Sequence, residues 1–285
     1  MNIRIVGLGA IGAYLAQELS YANHQVTGLD FRIPAGAKEI TFQTEVNKVH
    51  KNLKLKTNPT IYKNDDIVIV ALKSYQLNEG ILNTLLESDV ELIFLQNGLL
   101  TKSKLQNRSL KVAIGTITGV QATLKDGVLA ASLQNSKVAL ELMDDCKNIK
   151  ILTQKTRMQN SVFVGSLESQ IIIYEKFMRW IITSSLNIFY DSPLGNCLEK
   201  VQSADLILAI SELAIYLEEK FKTYIDKSKI LQDIYKLPKD LRTSSYFDFK
   251  QDIQSELELE LESIIKYLTK CNFKCTVLNK WREAI

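Results

Sequence analysis

Histidine is nearly absent: His24 and His50 are the only two in 285 residues, and both lie in the first quarter of the chain. Any catalytic scheme that needs histidine therefore starts short of residues. The four cysteines, Cys146, Cys197, Cys271 and Cys275, are few for the length and irregularly spaced, which argues against a disulfide framework. Cys271 and Cys275 lack a second ligand pair, so they read as ordinary thiols rather than zinc ligands, and a reduced, cytoplasmic protein is expected. No apolar run reaches the length of a membrane span. The 35 basic and 32 acidic residues leave a net charge of +3 with no basic stripe, so neither a nucleic acid nor a membrane is expected as partner. Long-period repeats and low-complexity segments are missing as well.

What is present is concentrated in the first dozen residues. A short apolar strand, Ile3–Val6, runs into Gly7-Leu8-Gly9-Ala10-Ile11-Gly12 and then into a helical pattern. That is G-x-G-x-x-G between a strand and a helix, the context in which the motif binds dinucleotides. Gly7 permits the tight turn, Gly9 lets backbone approach a pyrophosphate, and Gly12 lets the helix pack closely on the strand. The free N–H groups of the helix N-terminus face the phosphates. The competing reading is a secretory signal, one Arg followed by apolar residues from Ile5 to Ala16. The glycine spacing and Glu18 inside the would-be cleavage region argue against it.

The first half alternates strand and helix, with strands expected at Ile3–Gly7, Gln25–Leu29, Ile67–Ala71, Glu91–Leu95 and Val112–Ile114. Helices are expected over about 11–21 and 77–86. Continuous apolar strands of this kind suit a parallel sheet buried on both faces, so the fold class expected is α/β, Rossmann-like and doubly wound. Its ligand would sit beyond the carboxyl ends of the strands, where Gly7–Gly12, Asp30–Arg32, Lys73–Gln76 and Asn97-Gly98 follow. Between about 117 and 152 the pattern turns β-rich, and Asp126-Gly127 signals a hairpin. From about 166 it is helical. Leu206–Leu217 reads as a central buried helix, and Ser255–Lys270 as a helix despite the period-two run Glu256-Leu-Glu-Leu-Glu-Leu-Glu262. Two domains are expected, 1–165 for the dinucleotide and 166–285, all helical, for substrate and catalysis, with a cleft between them.

With these segments placed, the chain resembles the ketopantoate reductase (2-dehydropantoate 2-reductase) family. The resemblance rests on GLGAIG at 7–12, DDIVIVALKSYQ at 65–76, LQNGL at 95–99 and GTITGVQATLKDGV at 115–128. In the helical half it rests on Tyr174-Glu175-Lys176, Tyr190–Gly195, and Ser244-Ser245 followed by Glu256. It implies NADPH-dependent reduction of the keto group of ketopantoate to pantoate, in pantothenate biosynthesis. On the family pattern Lys176 is the general acid, Glu256 accepts a hydrogen bond from the substrate hydroxyl, and Ser244 holds the carboxylate. Asn97 and Lys73 lie near the nicotinamide end. Each has a plainer reading: a solvated helix lysine, an exposed acidic face at Glu256, a turn at Asn97-Gly98, a surface lysine at Lys73.

Two departures bear on substrate. Where the family places asparagines one and two turns after the lysine, this chain has Trp180 and Ser184, and Trp offers one donor and a large apolar surface. Arg179 carries charge but points off that face. Cofactor choice is likewise divided. Asp30, 18 positions after Gly12, suits the ribose hydroxyl of NAD(H), whereas Arg32 suits the 2′-phosphate of NADP(H). NADP(H) is expected, with NAD(H) as the alternative. The other readings are a reductase of another small 2-keto or imino acid, and a non-catalytic dinucleotide-binding sensor. A homodimer stays open.

Overall fold

The computed structural model describes residues 1–29, 39–46, 49–57, 66–105, 111–165, 167–253 and 255–285. These form two compact units, one of residues 1–96 and 101–173, the other of residues 97–100 and 174–285.

In the first unit β1 (Asn2–Val6) leads through the glycine turn into α1 (Ala10–Tyr21) and β2 (Gln25–Leu29). A hairpin, β3 (Glu39–Val46) with β4 (Val49–Thr57), follows. Then come β5 (Ile67–Val70), a 3-10 turn at Ser74–Gln76, α2 (Glu79–Leu86), β6 (Glu91–Leu95) and α3 (Leu100–Leu105). A second hairpin, β7 (Val112–Lys125) with β8 (Val128–Leu142), then α4 (Lys147–Lys155) and β9 (Ser161–Gly165), precede α5 (Leu167–Phe189).

The nine strands form one sheet in the order β3-β4-β2-β1-β5-β6-β7-β8-β9. Its centre, β2-β1-β5-β6-β7, is parallel, and the two hairpins supply the antiparallel pairs. A further parallel pairing of β3 with the start of β8 curls the sheet. The chain leaves β1 for β2 on one side and returns to β5 on the other, which makes the carboxyl end of β1 the topological switch point. Alternate residues explain why both faces are covered. Ile3, Ile5, Ile67, Ile69 and Ile93 join a core with Tyr14, Leu15 and Leu19 of α1, while Val68, Val70, Leu92 and Phe94 join a second with Leu82 and Leu85 of α2. The expected α/β, doubly wound architecture is therefore the one observed.

The Asp126-Gly127 hairpin forms as read, with both residues at positive φ (49° and 77°) and Lys125 opposite Val128. Three expectations need correction. The β-rich stretch ends at Leu142, and Lys147–Lys155 is helical. Its N-terminus is held by the buried Glu91 carboxylate, which accepts the N–H groups of Asn148 (2.8 Å) and Ile149 (2.7 Å), a cap from a distant strand. His24, whose place just before the second strand reads from sequence as a solvated loop position, is half-buried and shares a 2.9 Å hydrogen bond with the Thr156 hydroxyl.

The third correction falls in the second unit, which among the described residues is all helical. It holds the later part of α5, then α6 (Leu194–Lys200), α7 (Ser203–Phe221) and α8 (Lys227–Lys236), followed by α9 (Ser244–Lys250), α10 (Glu256–Lys270) and α11 (Val277–Arg282). Helix α7 is not buried all round: Ile207 and Leu208 are 52% and 42% exposed, whereas Leu206, Ile210, Leu213 and Leu217 form the buried stripe. At 100° per residue Leu208 stands opposite that stripe and Ile207 at its flank. Buried Glu212 on α7 accepts the N–H groups of Thr276, Val277 and Leu278 and so fixes the start of α11.

Candidate active site

Of the expected cofactor residues, the glycine turn sits at the carboxyl end of β1. Gly7 has φ +92°, and a Cβ there would press on Ala71 and Leu72. A Cβ on Gly12 would overlap the carbonyl oxygen of Gly7, so α1 can cross this close to the turn only without a side chain. Gly9 differs: a Cβ there meets no protein atom within 4 Å. It is the N-cap of α1, no side chain caps the helix, and the first turn carries no acidic residue. The N–H groups of that turn thus keep their donors for an anion approaching on the open side of Gly9. These features fit a dinucleotide pyrophosphate. Leu8 is buried and Ala10 and Ile11 are half-buried, so the segment would serve through its backbone. Half-buried Lys73 follows β5, the neighbouring strand, with its ammonium 5.8 Å from the Tyr75 ring centre. Asp30 and Arg32 lie outside the described residues.

In the second unit the expected catalytic residues come together. Lys176, half-buried on α5, donates to Asn97 Oδ1 at 3.1 Å. Burial lowers its pKa to about 8; the positive charge of Arg179 acts in the same direction, and the negative charge of Glu256 opposes both. Arg179 itself donates to Asp233 of α8 at 3.1 Å. Glu256 opens α10 and is only 6% exposed, so the plainer reading of a solvated acidic face fails there. The run is split by the helix: Glu256 and Glu260, one turn apart, point inward with Leu257 and Leu261, whereas Glu262 is exposed.

Trp180 lies one turn after Lys176 and is 8% exposed; its indole N–H donates to Ser245 Oγ at 3.2 Å. Ser184, a further turn on, is fully buried, and its hydroxyl has no hydrogen-bond partner among the described residues. Ser244, the first residue of α9, is exposed, and it is Ser245 that reaches α5.

The family model for ketopantoate reductase PanE/ApbA matches residues 3–144. The chain belongs to the ketopantoate reductase family. Solved structures resemble it over nearly their whole length. The probable 2-dehydropantoate 2-reductase panE of Bacillus subtilis superposes with TM-score 0.80 at 17% identity, over 100% of this chain and 98% of that one. The dimeric ketopantoate reductase of Staphylococcus aureus gives 0.77 at 17%, over 99% and 96%. D-mandelate dehydrogenase, solved with NADH and anilino(oxo)acetate, gives 0.83 at 20%, over 100% and 97%. These likenesses are of fold. No curated protein sequence matches the chain. Among the described residues no helix is long and apolar enough to cross a membrane, and no group of three or more His, Cys, Asp or Glu could hold a metal ion.

Sequence reasoning passed over Glu260, although its spacing from Glu256 was the available signal. It is 1% exposed, and its Oε1 accepts the N–H of Leu100 at 2.8 Å. Burial raises its pKa to about 8, against the pull of the Leu100 and Leu99 backbone, and the charge of Glu256 adds to the rise. A folded-state pKa above the unfolded value of about 4.5 means the native state holds this proton more tightly. The stability it contributes is complete below pH 4.5 and is lost as pH rises through 8. Glu260→Gln has no carboxyl to ionise, so its Tm relative to the wild type is expected to rise between pH 5 and pH 8.5. Thermal scans at both values check this; a constant difference would place the Glu260 pKa near its ordinary value.

Proposed function

We propose that the protein is an NAD(P)H-dependent reductase of a small 2-keto acid, with ketopantoate as the first candidate substrate and NADPH as the first candidate cofactor. The observation that carries this reading is the Lys176 ammonium, held by Asn97 beside buried Glu256, where burial lowers its pKa to about 8. A general acid works best when its pKa lies near the working pH, and a positive charge is placed where an alkoxide develops. Residues 1–165 would carry the dinucleotide and residues 166–285 the catalytic groups.

Bound at Gly7–Gly12, with Lys73 and Asn97 toward its nicotinamide end, the dinucleotide would supply a hydride to the keto carbon. Lys176 donates the proton that the keto oxygen takes as it becomes a hydroxyl. Asn97 Oδ1 keeps the ammonium oriented for that transfer. Glu256 favours the charged form of Lys176 and accepts a hydrogen bond from a substrate hydroxyl. Ser244 binds the carboxylate end. The four cysteines are free thiols, three of them buried, which supports the cytoplasmic assignment. The likeness to the dimeric Staphylococcus aureus enzyme supports a homodimer.

A second reading of substrate has its own observation. The indole donor of Trp180 is already committed to Ser245, and Ser184 has no exposed surface. The face of α5 beyond Lys176 therefore offers a substrate apolar area rather than polar groups, which favours a 2-keto acid with an apolar side chain. The decisive experiment is the loss of NADPH or NADH absorbance with ketopantoate and a panel of aliphatic and aromatic 2-keto acids. Oxidation of NADPH with ketopantoate supports the first reading. Turnover confined to apolar keto acids moves the substrate to the second. No turnover with any keto acid and either cofactor overturns the reductase reading in favour of a dinucleotide-binding sensor.

A further inference from the structure

The Asn97–Leu100 segment, which joins β6 to α3, carries the group that holds Lys176. Two contacts reach it from the helices of the second unit. Lys176 of α5 donates to Asn97 Oδ1 at one end, and Glu260 of α10 accepts the Leu100 N–H at the other. Between them a Cβ on Gly98 would collide with the Glu260 carboxyl, so the segment lies flat against this side chain. A glycine at 98 and a carboxyl at 260 are matched parts of one contact.

We propose that Glu260 is a positioning residue of the site: it fastens the Asn97–Leu100 segment to α10 so that Asn97 presents its oxygen to the Lys176 ammonium. This rests on Lys176 as the proton donor. The chemistry suits the task. A buried carboxyl accepting a backbone N–H is a rigid anchor, because α10 fixes its stem and no water competes for the bond. The charged groups that bear on Lys176 and Glu260 are Arg179 from α5, Lys220 from α7 and Glu256 from α10, and of these only Glu256 carries a hydrogen-bond acceptor. Lys220 is held by its own ring of aromatic side chains, donating to the Tyr216 hydroxyl at 3.2 Å, with its ammonium 5.3 Å from the Tyr267 ring centre.

The test follows the titration of Lys176 itself, by NMR of the full-length protein with isotopically methylated lysines, the signal being assigned with Lys176→Arg. Loss of an acceptor from a charged donor disfavours the protonated form. Asn97→Ala and Glu260→Met are therefore each expected to lower the midpoint by about one pH unit. The double variant should go no lower than either single one, since both remove the same bond. Glu260→Gln keeps an acceptor oxygen for Leu100 and should restore the wild-type midpoint. If Glu260→Met does not fold, Gly98→Ala displaces the same segment and is read in the same way. A midpoint that stays put in Glu260→Met or Gly98→Ala, or shifts that add to that of Asn97→Ala, would overturn the proposal. The readout needs no substrate, so a wild type that reduces no keto acid would sink the proposed function while leaving this result to stand or fall separately.

Discussion

Replacing Lys176 by alanine is expected to lower kcat for keto-acid reduction by about 10²–10⁴-fold, the range typical for loss of a positioned general acid. The affinity for NAD(P)H should stay near that of the wild type, because the glycine turn is built on β1 and α1. The wild-type profile should fall on the alkaline side with a midpoint near pH 8, where Lys176 loses its proton. The sign follows from the role. A donor must be protonated, so activity is full below the midpoint and lost above it, and a general base at this position would give the opposite limb. Lys176→Arg sharpens the test, since a guanidinium stays charged throughout this range and is a poor proton donor. Its kcat should be low and its alkaline limb absent. A variant that retains kcat within about threefold of the wild type would remove Lys176 from the mechanism.

How far the site could be read from the residues depended on how local each cause was. The glycine turn was legible because its demands act within a few residues: a positive φ at Gly7 and a helix that must cross it at Gly12. The strands at the sheet centre were legible because their apolar runs match a sheet covered on both faces. Helix α4 was not, because the carboxylate that caps it comes from Glu91, more than fifty residues earlier. Helix α10 was placed correctly, but its alternating glutamates gave no sign of which two turn inward. That depends on Asn97–Leu100 packing against its first turns, a contact across about 160 residues of sequence. Trp180 was legible as a departure from the family pattern. What its indole N–H does was not, because Ser245 lies on another helix.

Gly12→Ala and Gly9→Ala should both weaken dinucleotide binding strongly, for different physical reasons. At Gly12 the new methyl would overlap the Gly7 carbonyl oxygen and lie 3.3 Å from the Ile5 side chain in the core. Backbone is the obstacle, so relief requires α1 or the turn to move. Such overpacking typically costs about 1–3 kcal/mol, and the displacement also misdirects the N–H groups at the start of α1. A lower Tm and a loss of NAD(P)H affinity on the order of 10²-fold are expected together. Gly9 separates the two effects. Its backbone is extended at φ −71°, which alanine adopts freely, and its Cβ meets no protein atom within 4 Å. Gly9→Ala should melt with the wild type, yet its methyl occupies the side from which a pyrophosphate would approach. Calorimetric titration with NADPH and NADH, beside a thermal scan of each variant, reads both outcomes. If Gly9→Ala binds dinucleotide as tightly as the wild type, the glycine turn is not the phosphate cradle. A weakened but fully folded Gly9→Ala would place the phosphates there by a change that alters nothing else in the protein.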